Sequence, residues 1–241
     1  MMRKTLQNIP NMLTLGNLAC GAIGIERMMA GDMQSILICM GLAAVLDFAD
    51  GFTARLLGAD GELGKQLDSL ADLITFALLP GLVMLHYTLE KGYCMPDGFC
   101  TSRYAWLALP LAGAWRLANF NIDTRQKTGF LGVPTPITGI AFGSLILAFE
   151  NMKESVFKPI FEHPYFFSFA PVLAAFLMVS DWPMLSLKFK KGDPLLIWKI
   201  AVPLLGLACI PVFGVYAGIP FLCIYVLWSI IANFVTQSTH G

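Results

Sequence analysis

Apolar residues run through this chain in long uncharged blocks, and the polar residues gather between the blocks or near their ends. Thr5 to Ile25 holds no charged side chain and is long enough to cross a bilayer, which takes roughly 20 residues as a helix. The first predicted segment covers about Pro10 to Met29, and the second about Gln34 to Leu57. Ala59-Asp60-Gly61 reads as a turn, and a third segment follows from about Glu62 to Leu89. A polar loop from Glu90 to Arg103 leads to a fourth segment, Tyr104 to Phe120. After the loop from Asn121 to Leu131 come a fifth, Pro134 to Phe149, and a sixth, Pro164 to Ser180. The uncharged run from Ile200 to Thr239 is too long for one crossing. Pro211, Gly214, Gly218 and Pro220 are expected to divide it into a seventh and an eighth.

This pattern predicts an all-α, polytopic membrane bundle of about eight helices. The chain reads as a single membrane domain over 1–241, with a core at about 8–180 and two extra C-terminal helices at about 194–237. Composition agrees. Hydrophobic residues make up 56% of the 241 and charged residues only 13%, with a mean hydropathy of +0.67. Soluble domains carry about 25% charged residues. Net charge is zero at pH 7, so no nucleic-acid partner is expected. The N-terminus enters an apolar segment without a small-residue cleavage site, which reads as no removable signal peptide.

Eight crossings put both termini on one side. That side would hold most of the Lys and Arg, including Arg3, Lys4, Arg55, Lys65, Arg116, Arg125, Lys127, Lys188, Lys190, Lys191 and Lys199. The other side would hold Arg27, Lys91, Arg103, Lys153 and Lys158. The positive-inside rule then makes the termini cytosolic, in the inner membrane. Cys94 and Cys100 would share an outside loop where a disulfide can form in an oxidising compartment. Cys20, Cys39, Cys209 and Cys223 lie in apolar runs and read as small buried hydrophobes.

Against this greasy background, Asp47, Asp50, Arg55, Asp68 and Asp72 stand out. Spacings of three and four put each aspartate pair on one helical face. A hairpin of the second and third segments brings both faces to the same membrane surface, the cytosolic one. Charges inside membrane segments are costly and are functional candidates by default. Arg55 and Lys65 are too few to neutralise four carboxylates. An oxygen-rich site suits Mg²⁺, Mn²⁺ or Ca²⁺ rather than zinc. Two such ions would clamp a diphosphate. Gly51 interrupts a helix at a cost of about 1 kcal/mol relative to alanine, which helix packing or a close-approaching ring would each explain. Asn11, Thr14 and Asn17 recur every three residues and form one stripe, expected to line the same site. Gly139 and Gly143 are spaced for close helix packing. A cation transporter would also use buried carboxylates, although transporter sites usually sit near the midplane.

The stretch reads D-x2-D-G-x2-A-R-x8-G-x3-D-x3-D from Asp47 to Asp72, with no departure at eight fixed positions. It resembles the signature of the CDP-alcohol phosphatidyltransferase family. The resemblance implies a six-helix core, usually in a homodimer. It implies two divalent metals held by Asp47, Asp50, Asp68 and Asp72, and a CDP site at Gly51, Ala54, Arg55 and Gly64. We place Asn11 and Thr14 at that CDP site as well. It further implies that Asp72 deprotonates an acceptor hydroxyl that attacks the lipid-side phosphorus, releasing CMP.

IPNMLTLGNLACG, GKQLDSLADLITF, RLANFN and GFLGVPTPITG, within roughly the first 140 residues, resemble the bacterial membrane-embedded branch that uses serine. That points to CDP-diacylglycerol and L-serine as substrates, with glycerol 3-phosphate or inositol as alternative acceptors. Serine is a zwitterion, so its carboxylate needs a cation. Arg116, with Asn119 on the same face, is placed to supply one, or else anchors the helix at the interface. Thr135 in the VPTP turn lines the acceptor pocket, or the prolines simply start the fifth helix.

Overall fold

In a computed structural model, residues 8–59, 61–92, 102–123, 130–150, 158–161, 163–185, 195–214 and 217–238 are described. The helices are α1 (Ile9–Met29), α2 (Met33–Leu57), α3 (Glu62–Glu90), α4 (Ser102–Ala105), α5 (Ala108–Ile122), α6 (Thr135–Gly143), α7 (Leu145–Glu150), α8 (Lys158–Phe161), α9 (Pro164–Val179), α10 (Leu196–Phe213) and α11 (Gly218–Ser238). The described chain is almost wholly helical. Three of its helices, α2, α3 and α11, are long and apolar enough to cross a membrane. The helical stretch Thr135–Glu150 and α9 are apolar but shorter. The cysteine pair at 94 and 100 and the basic residues at 125, 127, 188, 190 and 191 lie outside the described residues.

Local chemistry sets the helix ends. Asp32 caps α2, accepting from the Ser35 backbone N–H at 3.2 Å and its hydroxyl at 2.6 Å. Gly58 ends α2 in the left-handed region, φ 57°. Prolines stand in the first turns of α1, α6 and α9, where a missing N–H costs nothing. Of the four residues expected to break the last apolar run, Gly214 takes a positive φ of 56° just past α10, whereas Pro211 stays inside α10 and Pro220 lies in the first turn of α11.

α3 does not run as one regular helix. Leu73–Leu78, directly after Asp72, form a π-helical turn. Such insertions are rare and frequent at functional sites. Three other helices close on this widened backbone through glycines. A Cβ at Gly139 of α6 would lie 2.5 Å from the Phe76 carbonyl oxygen, and one at Gly113 of α5 would lie 2.7 Å from Ala77 Cβ. Gly21 of α1 faces the Thr75 backbone at 3.1 Å. Thr75 also donates to the Asn17 carbonyl at 3.2 Å. The packing expected of Gly139 is therefore real, and Gly143 faces Met40 of α2 in the same way.

The core sits deeper, around Ile36, Leu79, Val83, Phe142 and Ile146, all essentially inaccessible. Tyr87 ties α3 to α7 by donating to Glu150 Oε1 at 3.0 Å. Large apolar side chains on the outer face of α2, including Ile38, Val45, Phe48 and Leu56, are exposed, as expected of a surface that meets lipid. One feature among the described residues is extended. β1 (Phe130–Leu131) pairs antiparallel with β2 (Pro183–Met184), tying the start of α6 to the chain after α9.

Candidate active site

The carboxylates meet as the hairpin requires. One ligand oxygen from each of Asp47, Asp50 and Asp68 lies within 4.8 Å of the others. The Asp47 carboxyl is within hydrogen-bonding reach of both Asp68 and Asp72. Asp72 is buried, 6% exposed, and its Oδ1 has no hydrogen-bond partner among the described residues. Like charges this close repel strongly in a poorly solvated site. The arrangement has the chemistry of a divalent-cation site: hard oxygens, short separations and an unsatisfied buried oxygen. The donor set therefore fits Mg²⁺, Mn²⁺ or Ca²⁺.

The stripe on α1 faces inward. Thr14 is buried and its hydroxyl donates to Asp50 Oδ2, while also approaching the Pro10 carbonyl at 3.0 Å. Asn17, one turn deeper, is fully buried, and neither amide atom is hydrogen-bonded among the described residues.

A cavity of about 130 Å³ opens between the start of α1, the end of α2 and the start of α3. Asn11, Thr14, Gly51, Ala54 and Gly64 line it, together with Asp50 and Asp68. The two explanations for Gly51 now separate. A Cβ there would meet only Arg55 Nη1, at 3.6 Å, so no described helix packs against it. Its smallness keeps the cavity open. Gly64 is tighter, because a methyl group placed on it would lie 3.1 Å from Asn11 Oδ1. Arg55 does not line the cavity; it is exposed at the helix end, folded back over Gly51.

A second cavity, about 340 Å³, lies between α5 and the end of α9. Arg116 and Asn119 both line it. Arg116 is no interfacial anchor. It is 6% exposed, faces the charge of Asp72, and its Nη1 donates to Thr135 Oγ1 at 3.2 Å. Its guanidinium carbon also stands 6.0 Å from the centroid of the Phe120 ring. Thr135 is fully buried in the first turn of α6, so the VPTP turn both starts the helix and seats the arginine.

Several supporting residues carried no readable signal. Asn121 of α5 donates to Ser69 Oγ at 2.9 Å, beside Asp68. From α11, the Tyr225 hydroxyl donates to the Leu185 carbonyl at 2.9 Å and Ser229 Oγ accepts from Leu185 N–H at 3.3 Å. These bonds hold the chain after β2, hence β1 and the VPTP turn behind Arg116. Only the isolated polarity of Tyr225 and Ser229 within an apolar helix hints at such a role. Of the cysteines read as buried, Cys20 and Cys209 are buried, Cys39 is half-buried and Cys223 is exposed.

Fold and site together define a membrane-embedded helical enzyme scaffold with a carboxylate centre beside one cavity and a buried arginine in another. Residues 7–185 match the family model for CDP-alcohol phosphatidyltransferase, and the chain belongs to that family. It is 35% identical over 143 residues to a CDP-diacylglycerol–serine O-phosphatidyltransferase of Bacillus subtilis (strain 168), covering 58% of this chain and 75% of that protein. It is 34% identical over 136 residues to a protein of the same name from Helicobacter pylori (strain 26695), covering 54% of each. It is also 28% identical over 141 residues to the archaetidylserine synthase of Methanothermobacter thermautotrophicus, covering 58% of each. The chain thus spans three quarters of the Bacillus protein and a little over half of the other two.

Proposed function

We propose that the chain transfers the phosphatidyl group of CDP-diacylglycerol to the hydroxyl of L-serine, forming phosphatidylserine and releasing CMP. The observation that carries this reading is the buried Asp72, which faces both the carboxylates of Asp47 and Asp68 and the guanidinium of Arg116, next to a carboxylate-lined cavity kept open by Gly51. The first cavity takes the CDP moiety, with Asn11, Thr14, Gly51, Ala54 and Gly64 around it and Arg55 at its mouth. Asp47, Asp50, Asp68 and Asp72 would hold the divalent ions, two in number. When bound, those ions neutralise the diphosphate and make its phosphorus more electrophilic.

The rest of the chemistry belongs to the chain. Thr14 donates to Asp50 and fixes its rotamer. Arg116, with Asn119 and Thr135, binds the acceptor carboxylate, for which a guanidinium is well shaped. Asp72 accepts the proton of the serine hydroxyl as its oxygen bonds to the lipid-side phosphorus. The bond from that phosphorus to the CMP oxygen breaks, and CMP leaves. Burial keeps water away from Asp72 and so limits hydrolysis of the donor.

The wider organisation is proposed on the same basis. The chain forms one domain over 1–241, crosses the inner membrane about eight times, keeps its termini and carboxylates at the cytosolic face, and works as a homodimer. The distribution of Lys and Arg supports the orientation.

The test is CMP release by purified protein given CDP-diacylglycerol with L-serine, glycerol 3-phosphate or inositol, with and without EDTA. Release with serine alone, lost on chelation and restored by Mg²⁺ or Mn²⁺, is expected. Release only with another acceptor overturns the serine reading and leaves the family reaction standing. Activity that survives EDTA overturns the metal assignment.

A further inference from the structure

We propose that Asn17 is a positioning residue of the carboxylate centre: its buried amide holds the Asp47 and Asp72 carboxylates turned toward the divalent ions. The inference rests on the metal reading above and adds to it the group behind the four aspartates.

Asn17 is fully buried, and neither its Nδ2 nor its Oδ1 is hydrogen-bonded among the described residues. A primary amide brings two donor hydrogens and an acceptor oxygen. Leaving all of them unpaired inside a protein is costly, and buried polar groups nearly always find partners. Asn17 lines neither of the two cavities described above, so direct contact with a substrate there does not explain it.

Its neighbours fix its level in the bundle. α1 and α2 run antiparallel: Thr14 meets Asp50, a Cβ at Gly16 would lie 3.2 Å from Leu46 Cδ1, and one at Gly24 would lie 3.7 Å from Cys39 Cβ. α1 and α3 run parallel, since Gly64 meets Asn11 and Gly21 meets Thr75. Asn17 therefore stands level with the turn of α2 that carries Asp47 and with Ala71 and Asp72 of α3. The Thr75 hydroxyl hydrogen is already donated to the Asn17 backbone carbonyl. Deeper lies the apolar packing of Cys20, Ala43 and Phe76. The polar atoms on the shallow side are those of the carboxylates, and one of them, Asp72 Oδ1, is itself buried and without a hydrogen-bond partner among the described residues.

A neutral amide suits this place. Nδ2 donates to a carboxylate oxygen turned away from the ion, which fixes the oxygen turned toward it. Oδ1 accepts from a water carried on the ion, because Mg²⁺ keeps several of its waters when it binds. A lysine or arginine would do the first task but would also compete with the ions for the carboxylates. The metal-free chain then bears an unpaired amide that the loaded chain does not, so Asn17 is expected to favour metal binding at the expense of the stability of the empty protein.

The experiment uses the full chain in detergent with Asn17→Leu, which keeps the branched shape, and separately Asn17→Ala, which adds no bulk. Mn²⁺ binding is measured without substrate from the electron paramagnetic resonance signal of the free ion, and the thermal midpoint is measured in EDTA. The Kd for Mn²⁺ is expected to rise about 10- to 100-fold in both variants, as for loss of a group that orients metal ligands. The midpoint in EDTA should be retained or raised in Asn17→Leu, where an apolar group replaces an unpaired one. Wild-type Mn²⁺ affinity in both variants overturns the proposal. So does an affinity loss accompanied by a lowered EDTA midpoint in both variants, which is what a purely structural amide would give. A wild type that binds no Mn²⁺ overturns the metal reading and this proposal with it, and that result is distinct from equal binding by wild type and variants.

Discussion

The two cavities are built in opposite ways. The cavity at the carboxylates draws its lining from residues 10 to 68, on three helices that follow one another in the chain. The cavity at Arg116 combines the end of α5, the chain near β1 and the end of α9, residues 115 to 181. Behind it stand α6, β2 and α11. A site made by one hairpin keeps its geometry through fixed helical spacing. A site assembled from distant pieces depends on every tie between them. The first tolerates little variation in sequence, whereas the second can change its ligand when one supporting element moves.

The largest expected effect lies at Asp72, buried beside the carboxylate cluster and facing Arg116. Asp72→Asn should lower turnover by about 10²- to 10⁴-fold, the usual worth of a general base, while leaving substantial CDP-lipid binding. CMP release together with a direct CDP-lipid binding measurement checks it, and near-normal turnover would show that another group takes the proton.

Next come changes confined to one side. Gly51→Leu puts bulk into the donor cavity where only Arg55 is near. It should raise KM for CDP-diacylglycerol by about 10- to 200-fold, with the serine KM little changed and the thermal midpoint retained. If the serine KM moves as much, the two cavities are not independent. Arg116→Lys should do the reverse, because a lysine cannot reproduce the fork that meets both Thr135 and a carboxylate. About a tenfold rise in serine KM at constant donor KM is expected from steady-state kinetics.

Of comparable size is Thr14→Val, which removes the donor to Asp50 and keeps the shape. A hydrogen bond to a charged group is worth about 1.5–3 kcal/mol, so turnover should fall about 10- to 100-fold, with a higher metal concentration needed for half-maximal rate. Metal titrations of the two proteins decide it. The smallest effect belongs to Tyr225→Phe on α11. Loss of about 1 kcal/mol from the Leu185 tie should raise serine KM a few-fold and leave the donor side untouched. An unchanged serine KM would mean that α11 does not brace the acceptor wall.

How much of this could be read from the chain alone differs between the same two regions. The carboxylate hairpin needed only local facts: spacings of three and four, a turn at residues 59–61 and uncharged runs on either side. The inward stripe of Asn11, Thr14 and Asn17 followed from period alone, and the packing of Gly139 and Gly143 from their spacing. Arg55 was legible as a charge beside the site but not as a residue folded over Gly51. The π turn after Asp72 was not legible. It depends on glycines from α1, α5 and α6 that are far from it in sequence.

The sequence by itself therefore determined the membrane class, the helical hairpin and which carboxylates meet, because hydrophobic runs and helical periodicity act over short stretches of chain. Only the tertiary structure decided that Arg116 is buried against Thr135 rather than anchored at the surface, and that Gly51 opens a cavity rather than a helix contact. Those outcomes depend on how α5, α6, α9 and α11 pack, and packing joins residues that no local periodicity relates.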